Sequence, residues 1–288
     1  MVEGNSLLLS YTCTTIGPSE HHMDSSTTVP FLPPELERII FLHAAYTDIK
    51  NVSHYLVVAK RVQNWVMGAV FEVMVLHSKR MYPKEFTLDQ LKEYGHHVQH
   101  LLLSNWAGDL TVAQYLTFCP NIENLALWTG VYSDDTIQAI SHLSLKRLSI
   151  DITQLSEPDI LTPQLISAFA NITHLDLANA ILMWTQCEAL IHFRSLTHLA
   201  IFYATETEVL KTILERVEGL KVIIWLSGSI SGLGETPEGA PEEVEDIRIV
   251  ALECSYVKDW EDGARGEEDM WTLSDKIVEA RRERSQIS

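Results

Sequence analysis

The histidines of the run His96-His97-x-x-His100 are the residues of this 288-residue sequence best spaced to hold a metal ion. Zinc needs three or four nitrogen, sulfur or oxygen ligands converging on one point. On a helix His96 and His100 share one face with His97 beside them. The run leads, however, into Val98 to Leu103, a stretch patterned as a strand, where side chains alternate between faces. His97 is then expected to point away from the other two, and no metal site is expected. His21-His22 is a weaker pair still. The four cysteines, Cys13, Cys119, Cys187 and Cys254, stand far apart and form no C-x-x-C. They read as reduced, buried thiols and not as a disulfide framework, zinc site or redox centre.

The remaining chemistry-bearing patterns are incomplete. Gly228, Gly232 and Gly234 do not form G-x-G-x-x-G, and neither a P-loop nor a G-x-S-x-G elbow occurs. A nucleophilic Ser or Cys needs a base within hydrogen-bond reach, which no spacing here establishes. No catalytic residue, metal or cofactor is therefore expected. Asn51-Val52-Ser53 and Asn171-Ile172-Thr173 match the N-glycosylation pattern. The N-terminus lacks the basic and apolar regions of a secretory signal, so both are read as chance, and a cytoplasmic or nuclear location is expected.

With 46% apolar and 21% charged residues, the composition is that of an ordinary globular protein. No run of about 18 apolar residues is present to span a bilayer, so no membrane partner is expected. The 39 acids against 21 bases give a net charge of −18. Two acidic stretches, 235–246 and 259–269, read as solvated loops and carry much of that excess. An acidic surface without a compensating basic stripe repels phosphate backbones, so nucleic acid is not an expected ligand either.

The elements that must position any site are announced by repetition. The template apolar-x-x-apolar-x-apolar occurs at Val98, Leu101, Leu103, at Ile122, Leu125, Leu127, and at Leu145, Leu148, Ile150. It returns at Ile172, Leu175, Leu177, at Leu196, Leu199, Ile201, at Leu220, Ile223, Trp225, and at Ile247, Val250, Leu252. The central positions lie 24, 23, 27, 24, 24 and 27 residues apart. Such spacing on such a template resembles a leucine-rich repeat. Between strands, Thr162-Pro163 reads as a capped helix start, and Thr205-x-x-Glu208 as a capping box. The family's turn asparagine is missing: Trp106, Gly130, Thr153, Ala180, Ala204, Gly228 and Ser255 stand in its place.

Ahead of the repeats, residues 1–29 are Ser- and Thr-rich with little apolar content and read as a disordered lead. Pro33-Pro34-Glu35 sets a helix start, followed on one face by Leu36, Ile39, Ile40 and Ala44. A second helix carries Val52, Leu56, Ala59, Val62 and Val66, with Trp65 beside that stripe, and Val70 to Leu76 reads as an early edge strand. Leu32-Pro33-Pro34-Glu35-Leu36, Ile39-Ile40-Phe41 and Leu56-Val57-Val58-Ala59-Lys60-Arg61-Val62 together resemble the F-box pattern of fungal proteins with degenerate leucine-rich repeats. Ala59 stands where that family favours cysteine or serine, and Val62 where it favours an aromatic. The resemblance implies docking to the Skp-type linker of a cullin-RING (SCF-type) ubiquitin ligase through Leu32, Pro33, Leu36, Ile39, Ile40, Val58 and Val62. It also implies that the repeats hold a protein substrate.

The expected architecture is α/β: a leucine-rich-repeat-like solenoid, with a parallel sheet of about seven strands and outer helices, preceded by a small helical F-box-like module. The segments are a disordered lead (1–29), the module (30–76), a linker (77–95), the solenoid (96–256), and an acidic loop with a C-terminal capping helix (257–288). That helix is expected from about Ser274, with Ile277 and Val278 against the last repeat. The substrate surface is expected on the outward sheet face, through His100, Leu102, Asn124, Trp128, Arg147, His174, Asp176, His198 and Phe202. The competing expectation for that face is that the C-terminal tail folds over it.

Overall fold

In the computed structural model, the described residues are 32–84, 86–104, 110–155, 160–179, 181, 183–202, 205–227 and 246–287. The expected disordered lead, residues 235–245 of the first acidic stretch, Gly232, Gly234, and the turn positions Trp106, Ala180, Ala204 and Gly228 lie outside them.

The seven template copies supply seven strands and two more precede them, making a nine-stranded sheet among the described residues: β1 (Val73–His77), β2 (Arg80–Tyr82), β3 (His100–Ser104), β4 (Asn124–Trp128), β5 (Arg147–Ile150), β6 (His174–Leu177), β7 (His198–Phe202), β8 (Val222–Ser227) and β9 (Ile249–Glu253). The spatial order is β2-β1-β3-β4-β5-β6-β7-β8-β9. All neighbours are parallel except β1 and β2, so successive strands lie side by side, an arrangement compatible with a solenoid. Leu101, Leu125, Leu148, Leu175, Leu199 and Ile223 pair in register as one row, every one buried.

Helices cover the side of the sheet to which that row points: α1 (Pro34–Thr47), α2 (Ser53–Leu56) and α3 (Lys60–Glu72) at the start, then α4 (Leu88–Tyr94), α5 (Val112–Phe118), α6 (Asp134–Ser141), α7 (Pro163–Phe169) and α8 (Thr207–Arg216). Their N-termini are fixed by hydroxyls. Thr87, Thr111, Ser133 and Thr162 each accept from a backbone amide three residues on, and Gln90 and Gln114 complete capping boxes. Leu91, Leu116, Ile140, Leu165, Phe169, Leu210 and Ile213 fill the space between these helices and the sheet, with Phe169 stacked on Phe193 at 4.5 Å. Two further helices, α9 (Tyr256–Ala264) and α10 (Met270–Ile287), lie on the opposite face.

Several expectations are corrected. The sheet has nine strands and not about seven, because α3 runs on through Val70 and is followed by β1, which β2 covers as the true edge. The expected linker 77–95 contains β2 and α4. Thr205 caps no helix: α8 begins at Thr207, and the Thr205 hydroxyl accepts from the Ile181 amide at 3.2 Å. The seventh template copy is slipped by one position, since Ile223 pairs with Ile249 and Val250 pairs with Ile224. A one-residue slip exchanges the faces; β9 carries Ile249 and Val250 side by side, both buried, so period two cannot choose between them. Finally, α10 starts at Met270 and not near Ser274, and it reaches far beyond the last repeat.

Candidate functional site

The sheet face opposite the outer helices is built of registered rows. One row runs His100, Asn124, Arg147, His174, His198, Val222; the next runs Leu102, Ala126, Ser149, Asp176, Ala200, Ile224. The sequence pattern places these side chains together as expected. It does not leave them open, and here the expectation of an accessible ligand surface is corrected. Leu102, Asn124, Asp176 and His198 are buried, and His100, Trp128, Arg147, His174 and Phe202 are only partly exposed.

What covers them is the chain's own C-terminus. Tyr256, Met270, Trp271 and Val278 pack on Ala200, Val222, Ile224, Leu226 and Val250, with Trp128 and Phe202 against the same cluster. Ala264, Val257 and Trp260 pack on Val73, Val75, Leu102 and Ala126. Tyr256 meets Trp128 edge-on at 6.2 Å and lies against Phe202 at 6.0 Å. The apolar side chains on this face thus have partners within the chain, as β strands apolar on both faces require.

Polar contacts fix the cover in place. Arg147 Nη1 donates to Asp269 Oδ2 at 2.9 Å, and His198 Nε2 lies 3.0 Å from Asp275 Oδ1. His174 and His198 stack at 4.2 Å, and Trp271 closes over the His174 ring edge-on at 5.2 Å. Trp128 Nε1 donates to Ser149 Oγ at 2.7 Å, and Ser149 Oγ donates to Asp176 Oδ2 at 2.5 Å. Near the sheet edge, Glu261 takes both Arg80 and Arg265, and the Arg265 guanidinium sits over the Tyr82 ring.

Between cover and sheet lies a cavity of about 30 Å³, lined by Asn124, Ser149, Asp176, Tyr256, Asp259 and Trp260 among others. It is large enough for water and too small for an organic substrate. Asp176 is buried with Oδ1 unpaired, and the Tyr256 hydroxyl and Trp260 Nε1 are unpaired too. Burial pushes the Asp176 carboxyl up to about 7, the Ser149 bond opposing and the Asp259 charge assisting. Burial likewise raises Asp259 to about 6, against the Met270 amide that bonds it. Burial lowers His100 to about 4 and His174 to about 3, with Arg147 adding to both. The chamber therefore favours neutral acids and neutral imidazoles.

The other expected residues divide cleanly. Leu36, Ile39 and Ile40 on α1, Leu32 and Pro33 just ahead of it, and Val58 between α2 and α3 are exposed. Val62 is corrected: it is fully buried in the main core with Val66 and Phe71, because α3 turns that face to the sheet. His96 and His97 do not oppose one another; they share a tight turn with rings 4.0 Å apart. Among the described residues no group of three metal-ligating side chains is found, and no helix is long and apolar enough to cross a membrane.

The contacts missed from the sequence come from α9 and α10: Asp259, Trp260, Asp269 and Asp275 sit in a stretch whose acids suggest solvent. The signal for them was in β8, where Val222 to Leu226 is apolar on both faces and so demands a second layer. No family model matches the chain, and no curated protein matches it.

Proposed function

We propose that this chain is a noncatalytic adaptor of F-box type, which docks the Skp-type linker of a cullin-RING ubiquitin ligase through α1 and the α2-to-α3 turn and carries a degenerate leucine-rich-repeat scaffold behind them. One observation carries the reading: the large apolar side chains of this segment face outward, with Ile39 61%, Ile40 54% and Val57 80% exposed. Leaving several such side chains exposed is what a helix-in-groove partner would relieve. Leu32, Pro33, Leu36, Ile39, Ile40 and Val58 form the docking set; Val62 is left out of it because it is buried.

A second reading has its own support. The α3 residues Val62, Val66, Met67, Ala69, Val70 and Phe71 belong to the core that runs under the whole sheet, as a cap of the array requires. A cap accounts for α3 and leaves the outward face of α1 unused. The substrate of the adaptor is a protein held away from the covered sheet face, on loops or the outer side.

The test is capture of a purified Skp-type linker by the intact chain and by a Leu36→Asp, Ile40→Asp double variant. Binding by the wild type and its loss in the folded variant is the expected result. A linker that ignores the wild type, or binds both equally, removes the ubiquitin reading and leaves the capped scaffold.

A further inference from the structure

We propose that the chamber between the sheet and α9 is a binding site for water, in which internal water bridges Asp176 on the sheet to Tyr256 and Trp260 on the cover. The site is built from both layers. Asp176 is 4% exposed and stands on β6; its Oδ2 accepts from Ser149 Oγ, while its Oδ1 has no partner among the described residues. Tyr256 and Trp260 are four residues apart on α9 and so share one face of that helix. The Tyr256 hydroxyl and Trp260 Nε1 are buried and unpartnered among the described residues as well, and all three residues line the same cavity.

Packing fixes these groups. Trp128 meets the Tyr256 ring edge-on and Phe202 lies against it, and Trp260 packs with Val73, Val75, Leu102 and Ala126. Burial raises the Tyr256 phenol most and the Asp176 charge next, which puts the two polar ends within electrostatic reach of one another. They do not pair directly, and a buried polar group left unpaired forfeits the hydrogen bonds it makes in solvent.

The donor and acceptor types select the occupant. Trp260 Nε1 only donates, a carboxylate oxygen of Asp176 accepts, and the Tyr256 hydroxyl does either, so the bridging molecule must both donate and accept. A cation is opposed by the indole N–H and by Arg147, and an anion by Asp176 and Asp259, all lining the same space. Water meets both demands. It accepts from Trp260 and donates to Asp176, or accepts from that carboxyl once protonated, and three partners are the usual number for a buried water. The cavity of about 30 Å³ is sufficient, since a single water needs about 10–15 Å³.

The test joins the crystal structure of the full chain to oxygen-17 magnetic relaxation dispersion of the solvent, which counts waters held longer than the protein takes to tumble. In the crystal, a water is expected within about 2.7–3.2 Å of Asp176 Oδ1 and of Trp260 Nε1 or the Tyr256 hydroxyl. In solution, the wild type should hold at least one more long-lived water than the Asp176→Leu, Tyr256→Phe double variant, which keeps the shape of the chamber and only one of the three partners. An unhydrated chamber in the crystal, an ion or a side chain at that point, or equal water counts in the two folded chains overturns the proposal. Where the double variant does not fold, the crystal alone decides, by the same two outcomes.

Discussion

Arg147 on β5 and Asp269 at the head of α10, 122 residues apart, share one bond at 2.9 Å, and the same carboxylate serves the helix as its cap. Asp269 Oδ1 accepts from the Thr272 amide at 2.9 Å, while Thr272 Oγ1 accepts from the Asp269 amide at 3.0 Å. One side chain thus starts the last helix and fastens it to the sheet. Asp269→Ala should lose both, a cost on the order of 2 kcal/mol after allowing for the partial exposure of Arg147. Asp269→Asn keeps a good cap and should cost about half as much. Thermal melting of the two variants checks this, and equal losses would mean that the bond to Arg147 alone matters and the cap adds nothing.

Gly263 should resist substitution by alanine. A Cβ there would stand 2.8 Å from the Asp269 Cβ and collide with the carboxylate, so α9 and the head of α10 approach closely only without a side chain. Alanine gains about 1 kcal/mol of helix propensity, and the overpacking costs about 1–3 kcal/mol, so a net loss is expected. An unchanged or raised melting temperature would show that α10 shifts freely.

Removing residues 270–288 should do more than lower the melting temperature by several degrees, the loss a terminal cap would give. Met270, Trp271 and Val278 are buried, and each contributes roughly 1.5–3 kcal/mol by burial. Their sum is a large part of the 5–15 kcal/mol that a typical domain possesses. The truncation also bares Ala200, Val222, Ile224, Leu226 and Val250. Aggregation on expression is the expected outcome, and a monomeric truncated chain with a sharp melt would contradict the packing described here.

On the N-terminal helices, exposure separates the residues proposed to dock from those of the core. Leu36→Asp and Ile40→Asp change side chains already in solvent and should each move stability by no more than about 0.5 kcal/mol. Val62→Asp places a charge in the main core and should abolish cooperative melting. A large loss from the first pair would mean that α1 is covered in solution.

The strand rows were legible because five of the seven template copies are apolar on one face and mixed on the other, so Leu101, Leu125, Leu148, Leu175 and Leu199 could pair only one way; the sixth, apolar on both faces, kept its register through Ile223. The seventh copy failed because Ile249 and Val250 are both buried, so its alternation carried no direction. Thr162 read correctly as a cap since its hydroxyl has a local target, the Leu165 amide at 3.2 Å. Thr205 did not, because its partner, Ile181, is 24 residues away. The chamber was half visible: its sheet side follows from register, but its helix side comes from a charged segment whose acids find Arg147 and His198 only after the chain has turned back.

Two thiols should report separately on the two layers. Cys119 lies in the main core beneath the outer helices, and Cys254 lies against the cluster formed by the cover. Burial raises the Cys119 thiol to about 12 and pushes the Cys254 thiol up as well, the latter with help from Asp259, Asp176 and Glu253. Thiolate is the reactive form, so both should alkylate slowly at neutral pH in the native protein. Local opening of the cover, short of global unfolding, exposes Cys254 while leaving the parallel strands and Cys119 in place. In low urea, mass spectrometry of alkylated peptides should therefore find Cys254 modified well before Cys119. Simultaneous modification of the two, at the rate of global unfolding, would show that cover and array open as a single cooperative unit.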